Sequence, residues 1–128
     1  MVRLPPYAER LGMRLEGDGA RSGIVMPFGP SVLGRPGFLH GGVIGGLLEV
    51  AAIVALRPAI DDAAVTIKPI NLTVDYMRGG RDADTHAAAT IRRLGSRIAN
   101  VDVSAWQEDA SRPIAAARLT FLLRRPAD

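Results

Sequence analysis

Between residues 39 and 56 the apolar positions keep to no single face. On a wheel of about 100° per residue, Val43, Ile44, Leu47, Leu48, Val50, Ile53, Val54 and Leu56 point in every direction. A helix apolar all round is buried on all sides, so the pattern predicts one central helix that starts at His40 and is ended by Pro58. Beyond it the period drops to two. Ile70, Leu72, Val74 and Tyr76 alternate with Asn71, Thr73, Asp75 and Met77, which predicts a half-buried strand. Residues 85–94 form the next strand, reached through Arg78-Gly79-Gly80-Arg81. Gly95-Ser96 then predicts a two-residue hairpin turn of the Gly-first type into residues 97–107, where Ala99, Val101, Val103 and Ala105 share a face. The last strand, residues 114–124, buries Ala115, Ala117, Leu119, Phe121 and Leu123.

Upstream, residues 5–11 predict a short helix with Pro5 and Pro6 at its start and Gly12 at its end. Residues 13–16 and 21–28 predict a hairpin joined by Gly17-Asp18-Gly19, with Ile24, Met26 and Phe28 alternating in its second strand. Residues 29–37 hold enough Gly and Pro to be a loop that delivers the chain to His40. One apolar helix followed by an antiparallel meander long enough to curl around it predicts an α+β fold, with the β-sheet wrapped around the helix.

Composition narrows this picture in a few places. The 128 residues suit one domain, 1–128, with one core. No cysteine occurs, which removes disulfides, thiolate metal sites and a cysteine nucleophile. The N-terminus carries no apolar run of signal-peptide type, and the one long apolar run contains Gly, His and Glu. The expectation is therefore a cytoplasmic protein without a membrane span. The net charge of +3 is nearly all arginine, with Lys68 the sole lysine, but there is no basic helix. At 5% aromatic content a platform for stacking bases is hard to build, so nucleic acid is not the expected partner.

The candidate chemistry lies in the central helix. Glu49 is a lone carboxylate in an uncharged run, and burying it unpaired is costly enough that it must find donors, take up a proton or face a cleft. Facing a cleft would make it useful as a base or nucleophile. At the start of the same helix, His40-Gly41-Gly42 offers unpaired backbone N–H groups at the positive end of the dipole. Glycine there lets a ligand approach the backbone closely. An oxyanion site and a carboxylate thus share one helix.

Leu39-His40-Gly41-Gly42, with a carboxylate eight residues after the first of these glycines, resembles the hotdog-fold acyl-CoA thioesterases, in particular their phenylacetic-acid-type branch. Asn71-Leu72-Thr73-Val74-Asp75-Tyr76-Met77, Arg92-Arg93-Leu94-Gly95-Ser96-Arg97 and Ala116-Ala117-Arg118-Leu119-Thr120-Phe121 extend the resemblance over nearly the whole chain. It implies a hotdog fold and hydrolysis of an acyl-CoA thioester to free acid and CoA. Coenzyme A enters as part of the substrate, and no separate cofactor is implied. The Gly41 N–H would polarise the thioester carbonyl beside Gly42, and Glu49 would activate water or attack the carbonyl to give a mixed anhydride. His40 would orient the loop or the thioester, or cap the helix. No metal is expected, because His86 lacks any ligand spacing to His40.

The chain departs from the family where Gly34 and Pro69 replace a loop Asn and a water-positioning Ser or Thr; Ser31 and Asn71 are the candidate substitutes. Arg92, Arg93 and Arg97 around the predicted turn are the candidates for the nucleotide phosphates. Arg78 and Arg81 are weaker ones, offset by Asp82 and Asp84. On a straight helix Gly41 and Glu49 stand about 12 Å apart along the axis. Two antiparallel helices across a two-fold would instead bring Gly41 of one subunit towards Glu49 of the other. The resemblance implies such a homodimer, and homotetramers built from it are common in that family. The alternative function is a non-catalytic acyl-CoA binding protein or sensor, against which Glu49 argues. A hydratase would want an upstream Asp paired with His40, and a DNA-binding regulator a helix-turn-helix; the chain has neither. The acyl group is left open between aromatic, branched and medium-chain.

Overall fold

The computed structural model describes residues 3–17 and 23–126. Helix α1 (Pro6–Arg10) leads through strands β1 (Arg14–Glu16) and β2 (Gly23–Met26) and a 3-10 turn at Pro30–Val32 into helix α2 (Gly41–Leu56). Strands β3 (Thr66–Tyr76), β4 (Thr85–Leu94), β5 (Ile98–Trp106) and β6 (Ala115–Arg124) follow. All six strands form one antiparallel sheet in the order β1-β2-β4-β5-β6-β3, and α2 lies across its inner face. This is the sheet around one helix that the hydrophobic pattern predicts, and the hotdog fold that the resemblance implies.

Burial follows the periods read above along most of the chain. Ala99, Val101, Val103 and Ala105 on β5, and Ala115, Ala117, Leu119, Phe121 and Leu123 on β6, all face α2 and are buried. They meet Leu47, Leu48, Ala51, Ala52 and Val54 from the helix. Small residues on the strands bring the sheet close to the helix, and Phe121 fills the space between them. Pro58 sits in a 3-10 turn, Arg57–Ala59, that ends α2 as expected. The Arg57 guanidinium donates to the carbonyls of Val65 (2.7 Å) and Asp62 (3.0 Å), tying that turn to the start of β3. The stretch Gly41–Ala59 is long and apolar enough to cross a membrane by composition alone, but half of it is buried inside the fold.

Several expectations need correction. β3 is not half-buried. It begins four residues earlier than its alternation suggests, and Ile70, Leu72 and Tyr76 are 51%, 39% and 56% exposed. The cause is its place at the sheet edge, paired with β6 alone, where α2 barely reaches. Pro69 is tolerated within it because an edge strand has one side free of ladder bonds and a bulge follows at once. On β2 all three of Ile24, Val25 and Met26 are buried, so the strand does not alternate. The β4–β5 turn is shifted one residue. Gly95 N–H donates to the Ile98 carbonyl (2.9 Å), which makes Ser96 and Arg97 the central pair, and Gly95 does not take a positive φ. Of the Gly17-Asp18-Gly19 turn, Asp18 and Gly19 lie outside the described residues; Gly17 has φ 87°.

Candidate functional site

The loop before α2 is drawn tight against the start of the helix. His40 N–H donates to the Val32 carbonyl (2.9 Å), Gly34 N–H to Phe38 (3.0 Å) and Leu39 N–H to Gly80 (3.0 Å). A Cβ on Gly34 would lie 3.0 Å from the His40 Cα, so the close approach of the two backbones explains a glycine here in place of a larger polar residue. Phe38 is held between the guanidinium groups of Arg35 and Arg81, 4.1 and 4.2 Å from its ring centre.

His40 is the N-cap. Its Nδ1 accepts a hydrogen bond from the Gly42 N–H (2.9 Å), and its carbonyl accepts from Val43 (3.1 Å) and Ile44 (3.2 Å). That leaves the Gly41 N–H as the donor of the first turn with no partner among the described residues. Gly41 is exposed, and its carbonyl accepts a hydrogen bond from the Tyr76 hydroxyl (2.8 Å) at the end of β3. Tyr76 therefore pins the helix start from the neighbouring strand. Its period-two alternation placed it on the helix side of β3, but nothing local in the chain marked the contact with Gly41.

Two turns further along, Glu49 is partly buried. Its carboxylate makes no hydrogen bond or ion pair among the described residues. The helix is not covered on all sides as its composition suggested. Gly42, Gly46, Glu49 and Ile53 lie along one incompletely covered stripe, and two of them are glycines rather than polar residues. Glu49 therefore faces outwards from a helix that is otherwise core. Tyr7 of α1 lies over the same stripe. Burial of its phenol, and secondly the charge of Glu49, push its pKa above the ordinary tyrosine value.

The remaining sequence candidates sit elsewhere in the single chain. The bulge at Ile70 puts Pro69 opposite Phe121 and Asn71 opposite Thr120, neighbours on β6 that face opposite sides of the sheet. Asn71 is therefore on the outer face, away from α2, and does not stand beside Glu49. It accepts a hydrogen bond from the Thr73 hydroxyl (3.4 Å) and lines an outer groove of about 420 Å³ together with Arg92, Asn100 and Arg118. A second bulge, between Ile91 and Arg93, sets Arg92 on that outer face too, where its Nε pairs with Asp102 (2.9 Å). Arg93 is opposite Asn100, and Arg97 is in the turn. This turn is at the end of the sheet nearer the C-terminus of α2, so the single chain does not gather the three arginines at Gly41. Ser31 is exposed in the 3-10 turn before the loop. His86 pairs with Glu16 (2.7 Å) and stacks on Trp106, and among the described residues no group of side chains could hold a metal ion.

An open helix-start N–H and an unpaired carboxylate on the exposed stripe of one helix are suited to stabilising an oxyanion and to moving a proton or attacking a carbonyl. Residues 36–114, more than half of the chain, match the family described as the thioesterase superfamily. The chain belongs to this thioesterase superfamily. The matched segment holds the end of the loop, α2 with Gly41 and Glu49, and β3 to β5. A protein of Chromobacterium violaceum is 34% identical, over 94% of this chain and 85% of that one, with a TM-score of 0.76. The fold is shared with a thioesterase of Haemophilus influenzae (21% identity, 95% and 85% of the two chains, TM-score 0.84). It is shared also with a Bacillus halodurans protein solved with CoA (20% identity, 93% and 78%, TM-score 0.85). Among proteins of curated function, none matches the chain.

Proposed function

We propose that this thioesterase-superfamily chain hydrolyses an acyl-CoA thioester at a site formed by the Gly41 N–H and the Glu49 carboxylate. The observation that carries this reading is that the N–H at the start of α2 and the carboxylate on its open stripe are both left without partners among the described residues, while every other first-turn donor is engaged. CoA in the Bacillus halodurans relative supports the choice of thiol. As the thioester carbonyl is attacked, the negative charge growing on its oxygen would be met by the Gly41 N–H at the positive end of α2. Glu49 acts in one of two ways. As general base it takes a proton from water while the water oxygen bonds to the carbonyl carbon; the tetrahedral adduct then expels the CoA thiolate, which recovers that proton. As nucleophile it displaces CoA to give a mixed anhydride, which water then opens.

The site is read as shared between two subunits. β3 presents a long edge with Ile70, Leu72 and Tyr76 exposed, and such an edge is a template for pairing with another chain. Pairing two copies edge to edge with their helices antiparallel would carry Gly41 of one towards Glu49 of the other. It would also carry the Ser96-Arg97 turn, at the far end of one helix, towards the Gly41 end of its partner. In that assembly Arg92, Arg93 and Arg97 would approach the nucleotide from the opposite subunit.

Leu72→Asp places a charge on this edge, where the solvated single chain tolerates it. The expected result is a folded protein that sediments as a monomer at micromolar concentration and whose acyl-CoA turnover falls at least about tenfold. A monomeric wild-type protein, or a dissociated variant with full activity, would remove the shared site.

A further inference from the structure

Glu49 needs something to fix its orientation, because a half-exposed carboxylate without hydrogen bonds turns freely and presents its lone pairs to the substrate only part of the time. Asn71, the polar residue that the sequence offered near the strand, is on the outer face of the sheet. The hydroxyl that the fold does bring to the open stripe belongs to Tyr7.

Packing and backbone hydrogen bonds hold it there. The next residue, Ala8, is fully buried in the core, and its carbonyl accepts hydrogen bonds from the N–H groups of Leu11 (3.2 Å) and Met13 (2.9 Å). This closes α1 into a single fixed turn. The Tyr7 ring is 45% exposed, but its hydroxyl end is seated on Gly46. A Cβ at Gly46 would come within 2.7 Å of the ring Cε2 and 2.8 Å of Cζ, and closer still to the hydroxyl oxygen. Glycine at 46 is thus what admits the phenol to the helix surface. Gly46 and Glu49 are three residues apart, neighbours on one helical face. The Tyr7 hydroxyl has no hydrogen-bond partner among the described residues.

We propose that Tyr7 is a positioning residue for Glu49: its hydroxyl, seated over Gly46 and free of other partners among the described residues, turns to donate a hydrogen bond to one carboxylate oxygen when substrate occupies the site and leaves the other directed at the reacting centre. Burial and the Glu49 charge both keep the proton on the phenol, so near neutral pH it is a donor. The role is the same whether Glu49 acts as base or as nucleophile, and it rests on the reading of Glu49 given above.

Tyr7→Phe keeps the ring on Gly46 and removes only the donor. The expected result is a kcat lowered roughly ten- to a hundredfold with KM within about twofold. Gly46→Ala, which drives the ring off the helix, is expected to reproduce that loss, and the double variant to be no slower than either single one. A readout that needs no substrate accompanies these. In a Tyr76→Phe background, ultraviolet titration reports Tyr7 alone, and its midpoint should lie above the usual tyrosine value of about 10 and fall when Glu49→Gln is added. Full kcat in Tyr7→Phe, or a midpoint indifferent to Glu49→Gln, overturns the proposal. If no thioester is hydrolysed by the wild-type chain, the activity reading fails separately, and the titration still decides whether Tyr7 and Glu49 are coupled.

Discussion

Glu49→Gln is expected to lower acyl-CoA turnover by about 10²–10⁴-fold, the range of a positioned general base, and to leave the fold and the assembly intact. The amide matches the carboxylate in size and stays on the open stripe of α2, but it neither accepts a proton from water nor attacks a carbonyl. No ion pair is broken, because Glu49 has none among the described residues. Stability therefore gives no alternative account of the loss. Circular dichroism and sedimentation on the same preparation check that side of the expectation. A protein that binds acyl-CoA without turning it over would give wild-type and variant the same negligible rate.

Gly41→Pro addresses the other half of the site with little disturbance. Gly41 is the first residue of α2, where proline is well accepted because its N–H would have no helical partner. The preceding residue, His40, has φ −68° and ψ 132°, the extended conformation that a following proline requires. The substitution deletes one atom group of interest, the N–H proposed to meet the oxyanion, and keeps the His40 cap on Gly42. Turnover is expected to fall about 10²–10³-fold, as for loss of a single oxyanion donor, with an unfolding midpoint close to that of the wild type. Unchanged turnover in a folded Gly41→Pro protein would move the oxyanion site elsewhere.

What could be read from the chain, and what could not, divides along a physical line. The central helix, its start at His40, its end at Pro58 and the inward faces of β5 and β6 depend on local period and capping, and all are legible in one dimension. Gly41 and Glu49 stood out for the same reason, since each breaks a pattern within its own element. The alternation already put Asn71 on the polar face of β3; what was not legible is its separation from Pro69, because the bulge at Ile70 sets the two on opposite sides of the sheet. The exposure of Ile70, Leu72 and Tyr76 likewise depends on strand order, which alternation does not encode. Tyr7 and Tyr76 reach α2 from α1 and β3, more than thirty residues away along the chain in each case, and left no local signal. The helix itself misled in one respect: two of its glycines lie along the exposed stripe, so an uncharged composition concealed an open face.

Release of free thiol by the wild-type protein, measured against a panel of aromatic, branched and medium-chain acyl-CoAs, decides whether the Gly41 and Glu49 site hydrolyses thioesters. Catalytic turnover of at least one class is expected, falling to near the spontaneous rate in both Glu49→Gln and Gly41→Pro. Thiol release no faster than the spontaneous rate across the panel from a folded wild-type protein, or turnover that survives Glu49→Gln, would contradict that role of the site.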